Sequence, residues 1–195
     1  MEDSFVNTLL TLYKVEKWKE ILKLNENSDN LNALKLLWVW PEEKNFKFIK
    51  NLVKDLGYKG ILSLGCGCGL LEWLINQSTG LPVLGYEINR EWWESKYSSF
   101  KFIKLNYINQ LNEHSLDPNY ALLFCYFNNK KSFQDYVNNY KGHLIFIIGP
   151  GCDVPRHTEP QPFSADFGTT DWHLYCYQEV KTTGDFIAAF IREEK

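Results

Sequence analysis

A surplus of positive charge is missing from this sequence: 21 Lys and Arg stand against 24 Asp and Glu, for a formal net charge of -3 at pH 7. Proteins that grip nucleic acid by its phosphates carry a basic footprint, so nucleic acid is not the expected partner unless a local patch supplies one. Long apolar runs are missing as well. None approaches the roughly 20 residues of a membrane helix, and the first residues lack the charged-then-apolar order of a signal peptide. The chain therefore reads as cytoplasmic, with no membrane partner. Cysteines are few and odd in number, five in all, which fits reduced thiols better than a disulfide framework. Cys66 and Cys68 are spaced C-x-C, but both sit inside a glycine-rich turn where small side chains are the simpler explanation, and no metal site is expected. Repeats, linkers and low-complexity tracts are also absent. The 195 residues are expected to form one domain, with helices over 1–57 and an α/β core over 58–195.

What is present is apolar and aromatic, at 45% and 16% of residues, a composition that folds rather than staying disordered. The organising stretch is 61–72. Ile61, Leu62 and Leu64 make a short strand suited to burial on both faces. Leu70, Leu71, Leu74 and Ile75 then fall on one side of a helix. Between strand and helix, Gly65, Gly67 and Gly69 allow a sharp turn and a close approach of ligand to main-chain N–H groups at a helix N-terminus. A dinucleotide fingerprint would place its third glycine one residue later. Farther on, 82–87 reads as a second strand closed by Glu87, and an acidic residue about 20 positions beyond the glycines is placed to hydrogen-bond ribose hydroxyls.

On these residues the chain resembles the class I methyltransferases that use S-adenosylmethionine. The resemblance implies a Rossmann-like α/β fold, mostly parallel, with a terminal antiparallel hairpin, here behind an N-terminal helical layer. It implies that Gly65, Cys66, Gly67 and Gly69 hold the methionine part of S-adenosylmethionine and that Glu87 takes the ribose. One position departs from the pattern: Ser63 stands where the family usually has an acidic residue. Asn106, after a third strand, would meet the adenine or else form an ordinary turn. In similar small methyltransferase-like proteins, an aromatic-x-aromatic-Pro segment folds over the cofactor; here Trp38-Val39-Trp40-Pro41 matches it. Trp40 would then face the pocket, the alternative being that the tryptophans only pack the helical layer. The fourth motif falls on Tyr126, Asn128 and Asn129, placed near the transferable methyl. Its sequence, Cys-Tyr-Phe-Asn, differs from the Asn/Asp-Pro-Pro-Tyr of amino-methylating members, which weakens a reading as nucleobase amine chemistry.

The remaining pattern fills in the fold. Phe5, Leu9, Leu12 and Tyr13 mark a first helix running to a polar break at 25–30, and Leu31, Leu34, Leu37 and Trp38 a second. Pro41 opens a third that stops at Gly57. Further elements are a helix over 90–97, strands over 101–105, 121–126 and 143–148, a helix over 131–140, and a hairpin over 173–180 and 185–192. An irregular segment, 149–170, carries Pro150, Pro155, Pro160 and Pro162, and its His157 is a candidate mobile base. Methyl transfer from a sulfonium is an in-line displacement that asks the protein chiefly to align the acceptor and exclude water. The acceptor, a small molecule or a protein, is therefore not written in these motifs. The alternative is a catalytically inactive protein of the same fold that acts as a binding or scaffolding partner.

Overall fold

A computed structural model describes residues 4–27, 30–108 and 116–193. In chain order these hold α1 (Ser4–Lys14), α2 (Trp18–Lys23), a 3₁₀ turn (Ala33–Lys35), α3 (Glu43–Asp55), β1 (Gly60–Leu64), α4 (Leu70–Thr79), β2 (Val83–Glu87), α5 (Arg90–Glu94), β3 (Leu105–Tyr107), β4 (Tyr120–Cys125), α6 (Lys130–Asn139), β5 (Leu144–Pro150), β6 (Trp172–Val180) and β7 (Asp185–Arg192). Among the described residues seven strands make one sheet in the order β3-β2-β1-β4-β5-β7-β6. The first five are parallel, and β7 runs antiparallel to both of its neighbours, β5 and β6. This is the Rossmann-like class I methyltransferase sheet.

The strands are buried on both faces, and alternate residues feed two cores. Ile61, Ala121, Leu123, Leu144, Phe146 and Ile148 face a layer built from α1, α2, α3 and α4. Leu62, Leu64, Leu122, Phe124, Ile145 and Ile147 face α6 and the loop that carries Phe167. The N-terminal layer is tied to the terminal hairpin by Asn45, which is wholly buried. Its Oδ1 accepts from the Glu42 N–H as half of a capping box that starts α3. Its Nδ2 donates to Gln178 Oε1 (2.8 Å) and to the Glu179 carbonyl (3.2 Å).

The N-terminal layer differs from the periodicity in three places. The first helix breaks after Lys14, with Glu16 at φ 56, and resumes as α2. The stripe over 31–38 forms only the 3₁₀ turn, since Leu37 is buried while Leu31 and Trp38 stay exposed. Third, α3 begins at Glu43 and not at Pro41, because Glu42 supplies the cap. Ser28 and Asp29 of the polar break lie outside the described residues. The third strand also starts later, at Leu105: Phe102 N–H donates to the Cys68 carbonyl (2.8 Å), and the Phe102 ring packs against Tyr13, so this segment is spent on bracing the glycine loop. Helix α5 ends at Glu94, three residues short of 97, where Ser95 turns extended. Among the described residues no helix is long and apolar enough to cross a membrane.

Candidate active site

Strand order reverses between β1 and β4, with β2 on one side of β1 and β4 on the other. In open parallel sheets such a switch point leaves a crevice beyond the carboxyl ends of the strands. Here it is a cleft of about 270 Å³ lined by the 34–38 segment, the glycine loop 65–68, Leu71, Glu72, Trp93, Ser99, Cys125 and Tyr126.

The three loop glycines serve different ends. A Cβ on Gly65 would fall 2.9 Å from the Phe127 ring, and one on Gly69 would fall 2.3 Å from Ile103. Those two are glycine because neighbours press on them. Gly67, with φ +61, would meet nothing within 4 Å. It presents bare backbone to the cleft, as a loop that receives a ligand must. Its N–H donates to Glu87 Oε1 at 2.7 Å, so the carboxylate that ends β2 is held against the loop. Burial raises the Glu87 pKa, while the Gly67 N–H and the Trp93 side chain act to lower it.

Glu87 itself lies outside the lining, and the carboxylate that lines the cleft is one the sequence reading missed, Glu72. Glu72 sits in the first turn of α4 and is 1% exposed. Ser63, the residue that departs from the family pattern, donates its hydroxyl to Glu72 Oε1 at 2.6 Å. Among the described residues Glu72 Oε2 has no hydrogen-bond partner. Burial pushes the Glu72 pKa from 4.5 to about 7, against the pull of the Ser63 hydroxyl. The signal available in the sequence was a lone charge among Leu70, Leu71, Trp73, Leu74 and Ile75. A carboxylate on such a face needs either a partner or a purpose.

The Cys66 and Cys68 thiols also line the cleft, and burial raises both, Cys68 to about 12. Cys68 Sγ lies 3.1 Å from the Leu36 carbonyl and so ties the loop to the N-terminal segment. Among the described residues no three or more His, Cys, Asp or Glu side chains gather as a metal site.

At the other end of the cleft, Tyr126 has φ 49, a conformation that costs a bulky residue energy. A closed network holds it. Its hydroxyl donates to Asp185 Oδ1 (2.5 Å), and Asp185 Oδ2 accepts from Thr183 Oγ1 (3.0 Å) and Arg156 Nη2 (3.2 Å). Trp38 stacks on the Tyr126 ring at 5.8 Å and 15°, and the Arg156 guanidinium lies 5.8 Å from the ring centroid. Burial and the neighbouring Asp185 raise the tyrosine's ionisation well above its ordinary value.

Other candidate residues lie apart from the lining. Trp40 is buried in the N-terminal core, its indole N–H on the Leu22 carbonyl (2.9 Å) and its ring beside Phe5. The segment covers the cleft through Trp38 instead. Asn106 donates to the Gly85 carbonyl (3.2 Å). Asn128 is exposed and bridges to Glu159, and Asn129 caps α6 by accepting from the Ser132 N–H (3.0 Å). His157 is exposed beside Gln161.

Strand order, the glycine loop after β1 and the carboxylate closing β2 together define the class I methyltransferase fold. No family model and no curated protein matches the chain. Among solved structures it is similar to the magnesium protoporphyrin IX methyltransferase of Synechocystis PCC 6803 with S-adenosylmethionine bound, at 13% identity over 77% of this chain and 79% of that one, with a TM-score of 0.47. It is also similar to a candidate type 11 methyltransferase of Sulfolobus solfataricus, at 18% identity over 80% and 94%, with a TM-score of 0.49. Identities this low carry no activity with them.

Proposed function

We propose that this protein is an S-adenosylmethionine-dependent methyltransferase whose cofactor pocket is the cleft at the β1/β4 switch point. The observation that carries the reading is Gly67, which faces open space while its own N–H holds the Glu87 carboxylate at the end of the neighbouring strand. The residues fit the cofactor: bare backbone and the Trp93 ring line the cleft, and the Glu87 carboxylate, held against the loop by the Gly67 N–H, is available for the ribose hydroxyls. When bound, the sulfonium supplies a methyl group already activated for displacement. The chain's part is to orient and to exclude water. The 34–38 segment closes one wall, and Trp38 and the Asp185-anchored Tyr126 fix the end of the cleft at which an acceptor, small molecule or protein, is presented. Tyr126 donates its hydroxyl proton, so its role is to position and not to accept a proton.

A second reading, a binding protein that keeps the fold without the reaction, is favoured by one observation. Asn129 is committed to capping α6 and Asn128 is outside the cleft, which leaves Cys125 and Tyr126 as the fourth-motif residues that line the site. The Gly67→Trp variant separates the first reading from a fold with no ligand. Filling the cleft should abolish S-adenosylmethionine binding in calorimetry while the circular dichroism stays native, with about 1–2 kcal/mol lost to the left-handed backbone. Undiminished binding would remove the cofactor from this cleft.

A further inference from the structure

The Glu72 carboxylate has no structural reason to be where it is. Ser63 satisfies one oxygen, and the other is buried with no hydrogen-bond partner among the described residues. Leaving a buried carboxylate oxygen unpaired is among the more costly arrangements a fold can keep. The charge part of that cost is avoidable, because a glutamine would keep the Ser63 hydrogen bond and the shape without a carboxylate to ionise. Other acids and thiols near the group do not help: Glu87 on β2 and the thiols of Cys66, Cys68 and Cys125 all act against a charge on it or on themselves. Lys35 lines the same cleft from the N-terminal side. What would relieve Glu72 is a cation that also carries hydrogen-bond donors. The cofactor of the proposed function carries two positive groups, and only its α-ammonium has donors; the sulfonium has none.

We propose that Glu72 is the ammonium anchor of the pocket, with its unpaired Oε2 accepting from the α-ammonium of S-adenosylmethionine or S-adenosylhomocysteine, and Ser63 as the positioning residue that fixes the carboxylate. This rests on the cofactor reading above. It assigns recognition of the amino-acid end to the first turn of α4, so ligands without that end gain nothing from Glu72. Because the free carboxyl is half protonated near pH 7, ammonium binding also favours the ionised form and strengthens as pH rises.

The test is calorimetry with two probes, S-adenosylhomocysteine, which has the ammonium, and 5′-methylthioadenosine, which keeps the nucleoside and lacks the amino-acid end. Glu72→Gln should weaken S-adenosylhomocysteine by about 10- to 100-fold and leave methylthioadenosine within about twofold. In the unaltered protein, S-adenosylhomocysteine should weaken by about tenfold from pH 8 to pH 6 as Glu72 takes up its proton. Methylthioadenosine controls for Glu87, whose ribose contact it shares, and should stay flat. Equal effects on the two probes, or no effect on either, would overturn the assignment while the cofactor reading stands. Failure of the unaltered protein to bind either probe would overturn both. The pH series needs no variant, so the inference is tested even if Glu72→Gln misfolds.

Discussion

Glu72 carries a stability penalty that a single substitution can expose. Its pKa is raised on folding, from 4.5 to about 7, so the folded state holds a proton that the unfolded state releases. The penalty is absent below about pH 4.5, grows as pH rises, and is complete above about pH 7, where it amounts to about 3 kcal/mol. Glu72→Gln removes it. Thermal melts should show the variant more stable than the parent at pH 8, by a margin that closes toward pH 5; a margin independent of pH would mean that the carboxyl is not strained. Tyr126 predicts the opposite behaviour. Tyr126→Phe leaves Asp185 Oδ1 unpaired in a buried site and should cost about 1–3 kcal/mol, read as a lowered Tm. S-adenosylmethionine affinity should stay within about threefold, because the hydroxyl points into the Asp185 network and not at the nucleoside. Loss of affinity beyond tenfold would place that hydroxyl on the ligand.

Among the elements, those whose burial is two-sided were the ones legible in the sequence. The apolar runs of β1, β4 and β5 cross the sheet with both faces covered, and their periodicity has no competing solution. The glycine turn after β1 was legible too, because Gly65, Gly67 and Gly69 all take the left-handed conformation that favours glycine. The N-terminal layer was not, because its segments answer to distant partners. Residues 31–38 carry a helical stripe yet are drawn out over the cleft, with Leu37 in the core, Cys68 bonded to the Leu36 carbonyl and Trp38 on Tyr126. Local periodicity contains no trace of those contacts; the resemblance pointed to Trp40, which is buried in the N-terminal core, while Trp38 lines the cleft. Asn45 is the clearest joint between this layer and the hairpin. Asn45→Ala breaks the capping box and two bonds to β6 in a buried place, and should destabilise by about 2–4 kcal/mol. Hydrogen exchange should show α3 opening more readily than β4; uniform loss of protection would mean that Asn45 supports the whole sheet equally.

Taken whole, the molecule gathers the residues of the proposed site at the carboxyl ends of its central strands. The glycine loop with Glu72, Glu87 and Tyr126 come from three separate stretches, and parallel order places the ends of the strands they close or follow side by side. The N-terminal segment supplies the wall, so the helical layer belongs to the site as much as to the core. The central claim is that this end of the sheet receives S-adenosylmethionine. Calorimetric titration of the intact protein with S-adenosylmethionine tests it most directly. The expected result is one site with micromolar affinity, lost in Glu87→Ala and in Gly67→Trp; no heat of binding to the intact protein, or binding that both variants retain, would contradict it.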